Sequence, residues 1–308
     1  MPELIFQPFH AKLVALFREV NRIQMERRND ACVLLTLNTH SLMMPDNAAC
    51  LCTVADAFKN ERVDLLALQE VNQERTAPVM DAQTLNALGY REGGSACPVK
   101  EGNFAVLLVR ELLRRGLRVQ WTWAFAHVGY DRYDEGLALI SRGEVQEAGA
   151  LNISTPEGRC ARVVPYIRTM CGNEPMWCYA AHMGWWQDQE DPFLGQWEKL
   201  SGDALMRSAG DPVYVLGDFN SPAHVRGEGY DRMLRDGWQD CYTRAAEKDG
   251  GMTVGGKIDG WREGKDEARR IDFALTRGTK GTRSSRVIFN GDFYPVVSDH
   301  YGVLTQEA

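Results

Sequence analysis

The chain has 308 residues with a formal net charge of −7, and 44% of the residues are hydrophobic and 25% charged, as in most soluble globular proteins. Binding to duplex nucleic acid usually needs a strongly basic face, so this charge disfavours a nucleic-acid partner. No apolar run reaches the roughly 18 residues of a membrane span, and no secretory signal is visible. We therefore expect a cytoplasmic protein without a membrane partner.

The cysteines predict neither a disulfide framework nor a metal site. Their spacing contains no CxxC pair, their density is low, and several lie inside apolar runs. We expect reduced and buried thiols at all eight positions, as is usual in the cytoplasm. These positions are Cys32, Cys50, Cys52, Cys97, Cys160, Cys171, Cys178 and Cys241.

The first part of the chain predicts two helices and two buried strands. Apolar residues recur every three or four positions within residues 1–30, which indicates an amphipathic helix that packs on the core. Dense apolar runs over 32–37 and 63–68 indicate strands, and a helix capped near residue 46 connects them. The first strand ends on Asn38 and the second on Gln69-Glu70, so both strands end on polar side chains.

The middle of the chain alternates between helical and strand patterns. Apolar spacing and closing glycines indicate helices over residues 78–88 and 104–115. Period-two alternation and apolar runs indicate strands over residues 117–125, 137–140, 147–154 and 160–169. Tyr133 and Glu135 lie in the polar segment just before the second of these strands.

The most informative stretch is the apolar run over 213–216, which stops at Gly217. It is followed by Asp218 and Asn220, two short polar side chains that lead into a Ser-Pro turn. A carboxylate and an amide at the end of a buried strand can orient a water molecule and donate a hydrogen bond to an anionic oxygen. A simple capped turn is the alternative, because Asp, Asn, Ser and Pro all favour turns.

Other strands in the second half also border polar residues. A strand over 177–181 ends on His182, a strand over 271–276 carries Asp272, and Asp299-His300 precedes the last strand. Helices are indicated over 193–205 and 230–235. Many strands with interspersed helices predict two packed sheets flanked by helices.

Taken together, these motifs resemble those of the endonuclease/exonuclease/phosphatase superfamily, a group of metal-dependent phosphoesterases that includes nucleases, sphingomyelinases and inositol phosphatases. The resemblance implies an α/β (α+β) fold, a four-layer α-β-β-α sandwich of two packed mixed sheets flanked by helices, formed by residues 31–308. The motifs occur in the order of the superfamily: Leu37-Asn38, Gln69-Glu70, Glu135 with Ser141-Arg142, Ala181-His182, Gly217-Asp218-Phe219-Asn220, Ile271-Asp272 and Ser298-Asp299-His300.

Four further segments look like those of bacterial sugar-phosphate phosphatases of the maltose 6′-phosphate phosphatase type. They are the segments 38–41, 130–136, 182–186 and 256–261. This branch implies hydrolysis of a phosphate monoester of a small molecule, a sugar phosphate. A DNA endonuclease or exonuclease that acts on phosphodiesters is the alternative, and the negative net charge weighs against it. A binding protein without activity is disfavoured, because no motif position is missing.

The resemblance also implies a metal site. Glu70, with Asn38 and Asp299, should offer the hard oxygen ligands that suit Mg²⁺ or Mn²⁺. Zinc is disfavoured, because the sequence contains no Cys and His residues at the spacing of a zinc site.

The same resemblance assigns catalytic roles to six residues. Asp218 should orient or deprotonate the attacking water, and Asn220 should donate a hydrogen bond to a phosphoryl oxygen. Asp272 should hold the imidazole of His300 and raise its pKa. Glu135 should pair with His182 on the other side of the phosphate.

Several residues are expected to contact the substrate: Tyr133, Arg142, Trp185, Trp186, and Asp259 and Trp261 on the long loop over 248–269. The two neighbouring tryptophans suit stacking against a sugar ring, although burial in the core is the alternative for both. We interpret His40 as a substrate-loop or supporting residue and His127 as structural. The sequence indicates no oligomeric state.

Overall fold

The computed structural model describes residues 31–40, 42–155, 160–256, 258, 267–279 and 281–308. The helix predicted within residues 1–30 lies outside this part of the chain. The described residues form six helices: α1 (Asn47–Asn60), α2 (Ala82–Ala87), α3 (Phe104–Arg114), α4 (Phe193–Ser208), α5 (Gly229–Arg235) and α6 (Cys241–Arg244). They form thirteen strands: β1 (Val33–Asn38), β2 (Leu65–Glu74), β3 (Gln120–Gly129), β4 (Tyr133–Ser141), β5 (Val145–Asn152), β6 (Val163–Cys171), β7 (Glu174–His182), β8 (Val213–Asp218), β9 (Gln239–Asp240), β10 (Glu247–Lys248), β11 (Asp272–Arg277), β12 (Thr282–Ile288) and β13 (Gly302–Glu307).

The strands belong to two mixed sheets. The seven-stranded sheet has the order β10-β12-β13-β1-β2-β4-β3, and the six-stranded sheet has the order β5-β6-β7-β8-β11-β9. Each sheet has one parallel pair near its centre, β1 with β2 and β7 with β8, and these pairs are flanked by antiparallel neighbours. The predicted pair of mixed sheets is confirmed.

Side-chain alternation along the central strands produces the layers. Leu34 and Leu65 of one sheet belong to the same apolar cluster as Ile167 and Leu216 of the other, so this cluster lies between the sheets. The next residue along a strand points to the opposite face, where it meets helices. Leu66 lies in a cluster with residues of α1 and α3, and Val215 lies in a cluster with residues of α4 and α5. This arrangement is the four-layer sandwich.

Several predicted elements have different boundaries in the structure. The helix predicted over 78–88 begins only at Ala82, because the Asp81 side chain accepts a hydrogen bond from the backbone N–H of Thr84 and caps the helix there. β2 continues to Glu74, and β4 begins as early as Tyr133. Both extensions lengthen the sheet at the end where polar residues collect.

The prediction of eight reduced cysteines is wrong for two of them. Cys32, just before β1, and Cys171, the last residue of β6, form a disulfide between the two sheets. The two cysteines are 139 residues apart in sequence, so no local spacing could reveal the pair. Cys50, Cys178 and Cys241 are buried thiols, as predicted. Because disulfides are rare in the cytoplasm, this bond does not support the predicted location, which stays a prediction.

Within the described part of the chain, no helix is both long and apolar enough to span a membrane.

Candidate active site

Four predicted site residues meet because of strand direction. β1 and β2 are parallel, so Asn38 lies opposite Gln69 at their carboxyl ends. β7 and β8 are also parallel, and their last residues, His182 and Asp218, are register partners. β11 runs antiparallel to β8, so its first residue, Asp272, also lies opposite Asp218. Both sheets therefore bring their polar ends to one edge.

Glu70 reaches this edge through a bulge in β2. The register with β4 shifts between Leu68 and Val71, and the backbone of Glu70 has a positive φ of 54°. Such a conformation costs a non-glycine residue on the order of 1–3 kcal/mol, and bulges often redirect side chains next to active sites. The Glu70 carboxylate accepts a hydrogen bond of 2.9 Å from the Asn38 amide.

Asp218 lies at the centre of the site. Its Oδ2 is 3.3 Å from Asn38 Nδ2, 3.7 Å from His182 Nε2 and 3.8 Å from His300 Nε2. Gly217 is required just before it, because a Cβ there would overlap the carbonyl oxygen of Ala181 on β7. Close approach of the two strands thus brings Asp218 next to His182.

The sequence left two alternatives for the turn after β8, a simple capped turn or a turn that carries site residues. The structure shows features of both. Asp218 Oδ1 accepts a 2.8 Å hydrogen bond from the backbone N–H of Asn220, which is the turn geometry expected of Asp. The Asn220 side chain donates to the carbonyl oxygen of Met183, one residue past His182. The turn is therefore capped, and the side chains of Asp218 and Asn220 also lie among the polar residues at the common edge of the two sheets.

His300 forms the predicted pair with Asp272. Its Nδ1 lies 3.0 Å and 3.2 Å from the two carboxylate oxygens of Asp272, and both residues are buried. Burial alone would lower the pKa of His300, but the negative charges of Asp272 and Asp218 raise it to about 10. The imidazole is therefore positively charged at neutral pH.

The sequence analysis expected Glu135 to pair with His182, but the structure does not bring these two residues together as a pair. His127 Nε2 lies 3.4 Å from Glu135 Oε1, because a register shift in the β3–β4 ladder makes these residues direct partners. His182 instead faces Asp218. The interpretation of His127 as structural stays a prediction, although its imidazole contacts a site carboxylate.

The carboxylates at this edge are buried with few positive charges to compensate them. Burial raises the pKa of Asp218 to about 7 and that of Glu135 to about 8, and it also raises the pKa of Glu70. The negative charge of Asp299 raises the pKa of Glu70 further. Asp299 Oδ1 also lies 3.6 Å from Nδ1 of His40.

A divalent cation fits this set of residues. The half-buried Glu70 carboxylate and the buried Asp218 carboxylate meet at one place, where both accept hydrogen bonds from the same Asn38 amide nitrogen. Mg²⁺ and Mn²⁺ prefer such carboxylate and amide oxygens, and positive charge would relieve the repulsion between them. A second group, formed by Asp218, Asp272 and His300, has ligand atoms within 4.8 Å of one another. A protonated His300 is a poor metal ligand, so the Glu70 side fits better.

Arg142 lies far from this edge. It follows Ser141, which pairs with Leu65 at the beginning of β2, whereas Glu135 pairs with Asn72 near its end. Six residues of strand separate Glu135 from Ser141, which is about 20 Å. Arg142 is thus at the opposite end of the sheet, and its prediction as a substrate residue is wrong. Tyr133 lies at the site end of β4, where it is buried.

The two tryptophans after His182 have different surroundings. Trp186 packs its ring against Phe193 at the start of α4, with 5.9 Å between ring centroids, so it contributes to the core. Trp185 is half-buried and lines a cavity. Asp259 and Trp261 lie outside the described residues.

Arg162 is a charged residue near the site that the sequence analysis missed. It precedes β6 and is only 6% exposed. Burial and the positive charge of Arg162 together lower the pKa of His182, and they lower that of His127 to about 4. No sequence pattern distinguishes this arginine from a solvated one, because its burial arises from tertiary packing.

Comparison with known proteins supports the architecture. A structure of an endonuclease/exonuclease/phosphatase family protein from Leptotrichia buccalis is 23% identical, with a TM-score of 0.76, and the match covers 90% of this chain and 99% of that one. A mannosyl-6-phosphatase from Bacteroides thetaiotaomicron is 15% identical over 89% of this chain and 98% of its own, with a TM-score of 0.59. Truncated TDP2 from Caenorhabditis elegans is 14% identical over 91% and 98%, with a TM-score of 0.58.

The curated proteins contain no match to this sequence. The sequence does match a family described as the Endonuclease/Exonuclease/phosphatase family over residues 35–300. That range includes every strand-end residue of the site from Asn38 to His300. The chain belongs to the Endonuclease/Exonuclease/phosphatase family, whose members are hydrolytic phosphoesterases.

Proposed function

We propose that this protein is a metal-dependent phosphatase that hydrolyses a phosphate monoester of a small molecule, specifically a sugar phosphate. The observation that carries the proposal is the position of Asp218, which faces His182, His300 and Asn38 at one buried edge. One carboxylate is thereby surrounded by groups that can contact a phosphoryl centre and its attacking water.

Mg²⁺ or Mn²⁺ would be held by Glu70, Asn38 and Asp299. When bound, such an ion neutralises phosphoryl oxygens and stabilises the charge that develops during hydrolysis. Asn38 also orients the site, because its amide donates to both Glu70 and Asp218.

The chain's own residues supply the remaining chemistry. Asp218, with its pKa raised to about 7, accepts a proton from the attacking water near neutral pH. The charged His300, held by Asp272, donates a hydrogen bond to a phosphoryl oxygen. His182 is uncharged, because burial lowers its pKa, and it donates one N–H to a phosphoryl or leaving oxygen.

Three observations favour a sugar phosphate over a nucleic acid. The net charge of −7 disfavours a polyanionic substrate, and a phosphomonoester carries far fewer charges. A protein of the same fold is a mannosyl-6-phosphatase. The resemblance of the loop segments 130–136 and 182–186 to sugar-phosphate phosphatases points the same way.

Phosphate release from a panel of sugar phosphates tests the proposal. The panel contains maltose 6′-phosphate, glucose 6-phosphate and mannose 6-phosphate, and abasic-site DNA and bis(4-nitrophenyl) phosphate serve as diesters. We expect Mg²⁺-dependent release from at least one sugar phosphate, complete loss with excess chelator, and restoration by Mg²⁺ or Mn²⁺. An Asp218→Asn protein purified in parallel controls for contaminating phosphatases. Cleavage of the diesters without phosphate release from any monoester would show that the nuclease alternative is correct.

A further inference from the structure

A cavity of about 380 Å³ opens beside the catalytic edge, and no residue role assigned above accounts for it. Its wall includes Trp185, just after His182, and the buried side chains of Arg162, Asp191 and Gln196. Gly184 and Trp185 of its wall follow His182 by two and three residues, so this wall belongs to the segment that continues from the group proposed to contact the leaving oxygen.

Asp191 presents an unsatisfied acceptor in this wall. The residue is 6% exposed, and its Oδ1 accepts a 2.9 Å hydrogen bond from the backbone N–H of Thr155. Its Oδ2 is buried and has no hydrogen-bond partner. A buried acceptor without a partner is energetically costly, so such groups usually have a ligand or a function.

Arg162 presents the complementary donors. Among the described residues, no hydrogen bond or ion pair reaches its guanidinium, although its backbone N–H donates to Ser154. A buried arginine is normally paired, because taking its charge out of water is costly. The guanidinium has five N–H donors in fixed directions, which suits several hydroxyl oxygens at once.

The cavity wall is held rigidly to the catalytic loop. Gln196 of α4 accepts a 2.7 Å hydrogen bond from the backbone N–H of Gly184 and donates a 3.0 Å hydrogen bond to the carbonyl oxygen of Asp191. One buried side chain therefore connects the segment after His182 with the segment that carries Asp191. Rigid support of this kind is what a binding site needs for specificity.

The charge of the cavity disfavours an anion as its occupant. Among the described residues that line it, Asp188, Glu190 and Asp191 are acidic and Arg162 is basic, so carboxylates outnumber guanidinium groups there. A neutral polyhydroxylated group suits this set better, because hydroxyls both donate to carboxylates and accept from arginine. The half-buried Trp185 adds an apolar face for the C–H side of a sugar ring.

We propose that this cavity binds the polyhydroxylated leaving group of the substrate, with Arg162 donating to its hydroxyl oxygens and Asp191 Oδ2 accepting from one hydroxyl. The proposal rests on the phosphatase function proposed above and assigns the sugar, rather than the phosphate, to Arg162 and Asp191.

The test compares two substrates in four proteins. Wild type, Arg162→Gln, Asp191→Asn and the control Arg168→Gln are assayed with the best sugar phosphate of the panel and with 4-nitrophenyl phosphate. Arg168 lies on β6, the strand that Arg162 precedes, but it pairs with Asp211 and lies outside the cavity. Asp191→Asn keeps an acceptor for Thr155, so it changes the group facing the cavity with little effect on the fold.

We expect Arg162→Gln and Asp191→Asn to raise KM for the sugar phosphate about 10- to 100-fold, the range for lost polar contacts. The ratio of kcat/KM for the sugar phosphate to that for 4-nitrophenyl phosphate should fall by at least about 10-fold. Arg168→Gln should keep the wild-type ratio. Inhibition by the dephosphorylated sugar should weaken in the two cavity variants, which a purely structural role would not predict.

The outcomes separate the two proposals. If wild type hydrolyses a sugar phosphate and the ratio is unchanged in both cavity variants, the subsite is wrong and the phosphatase function stands. If both substrates lose activity equally, Arg162 and Asp191 act on the phosphate or on the fold, which also contradicts the subsite. If wild type hydrolyses no sugar phosphate, the proposed function fails and the subsite fails with it. Arg162→Lys, which keeps the charge but loses the fork of donors, should give an intermediate ratio if Arg162→Gln does not fold.

Discussion

His300 and His127 each face a buried carboxylate at the same edge of the sheets, but His300 is positively charged and His127 is neutral. His300 lies between Asp272 and Asp218, whose negative charges overcome burial and raise its pKa to about 10. His127 faces Glu135, yet burial and the charge of Arg162 lower its pKa to about 4. The same pairing thus gives an imidazolium in one place and a neutral imidazole in the other.

The hydrogen bonds of the His127–Glu135 pair agree with a neutral imidazole. His127 Nδ1 lies 3.2 Å from the carbonyl oxygen of Ala161, which can only accept, so Nδ1 carries the proton. Nε2 is then an acceptor for Glu135, whose pKa is raised to about 8 by burial and by Glu70, so that it is protonated at neutral pH. Both imidazoles are buried, so the charges around them set the difference: two carboxylates overcome burial at His300, whereas Arg162 adds to the effect of burial at His127.

The largest expected loss of activity comes from replacing Asp218, the additional carboxylate beside the His300–Asp272 pair. Asp218→Asn should lower kcat at least about 10²-fold, because it removes the proposed base and one of the two charges on His300. Steady-state kinetics with the best sugar phosphate measure this, with Glu198→Gln, an exposed carboxylate on α4, as the control. Near-normal turnover in Asp218→Asn would contradict its role.

Removing the direct partner of His300 should reduce the contrast between the two imidazoles. In Asp272→Asn, burial is opposed by less negative charge, so we expect the pKa of His300 to fall from about 10 towards its ordinary value. We expect kcat to fall about 10²-fold as well. NMR titration of the imidazole protons in metal-free protein measures the pKa. A pKa that stays near 10 would show that Asp272 is not what maintains the charge.

The His127–Glu135 pair should make the free energy of unfolding depend on pH in the acidic range. The folded-state pKa of His127 is about 4 and the unfolded value is about 6.5, so the folded state binds fewer protons between these pH values. Stability should therefore be unaffected by this group above pH 6.5 and should fall as the pH drops towards 4. Between pH 7 and pH 4.5, the free energy of unfolding should fall by about 1–3 kcal/mol less in His127→Asn than in wild type.

Urea unfolding of metal-free wild type and His127→Asn at several pH values measures that difference. His224→Asn is the control, since this histidine is exposed and follows the turn after β8, outside the His127–Glu135 pair. Parallel stability curves for wild type and His127→Asn over this range would contradict the low pKa.

The smallest expected effect concerns Arg162 and its influence on His127. Arg162→Gln should raise the pKa of His127 above about 4 but leave it below the ordinary value, because burial, the larger cause, remains. The same NMR titration measures it, with Arg168→Gln as the control. If the pKa of His127 is unchanged in Arg162→Gln, the charge of Arg162 is too distant to contribute to the difference between the two pairs.

Much of the fold and the centre of the site follows from the sequence. The sequence places motif residues directly after apolar runs, and the parallel pairs β1 with β2 and β7 with β8 bring such strand ends to one edge, where these residues can meet. Asn38, His182 and Asp218 do so. Local patterns are sufficient here, because position along a strand already fixes which end of the sheet a residue occupies.

The remaining features depend on contacts that local patterns do not encode. The partner of Glu135 is set by a register shift near His127, and a shift of one residue in a ladder changes every pairing beyond it. Arg142 follows a predicted motif but lies at the far end of the same strand. The roles of Arg162 and Asp191 depend on the packing of β6 against the loop before α4, which brings together residues about 30 positions apart.

The disulfide between Cys32 and Cys171 has a mechanical consequence. Cys171 pairs with Glu174 at the beginning of β7, whereas the catalytic edge is at the other end of that strand, roughly 25 Å away. The bond therefore acts as a pivot that fixes the spacing of the two sheets where no chemistry occurs. Any scissor-like rocking of one sheet against the other has its largest amplitude at the catalytic edge, where Asn38 of one sheet holds Asp218 of the other through a single amide hydrogen bond.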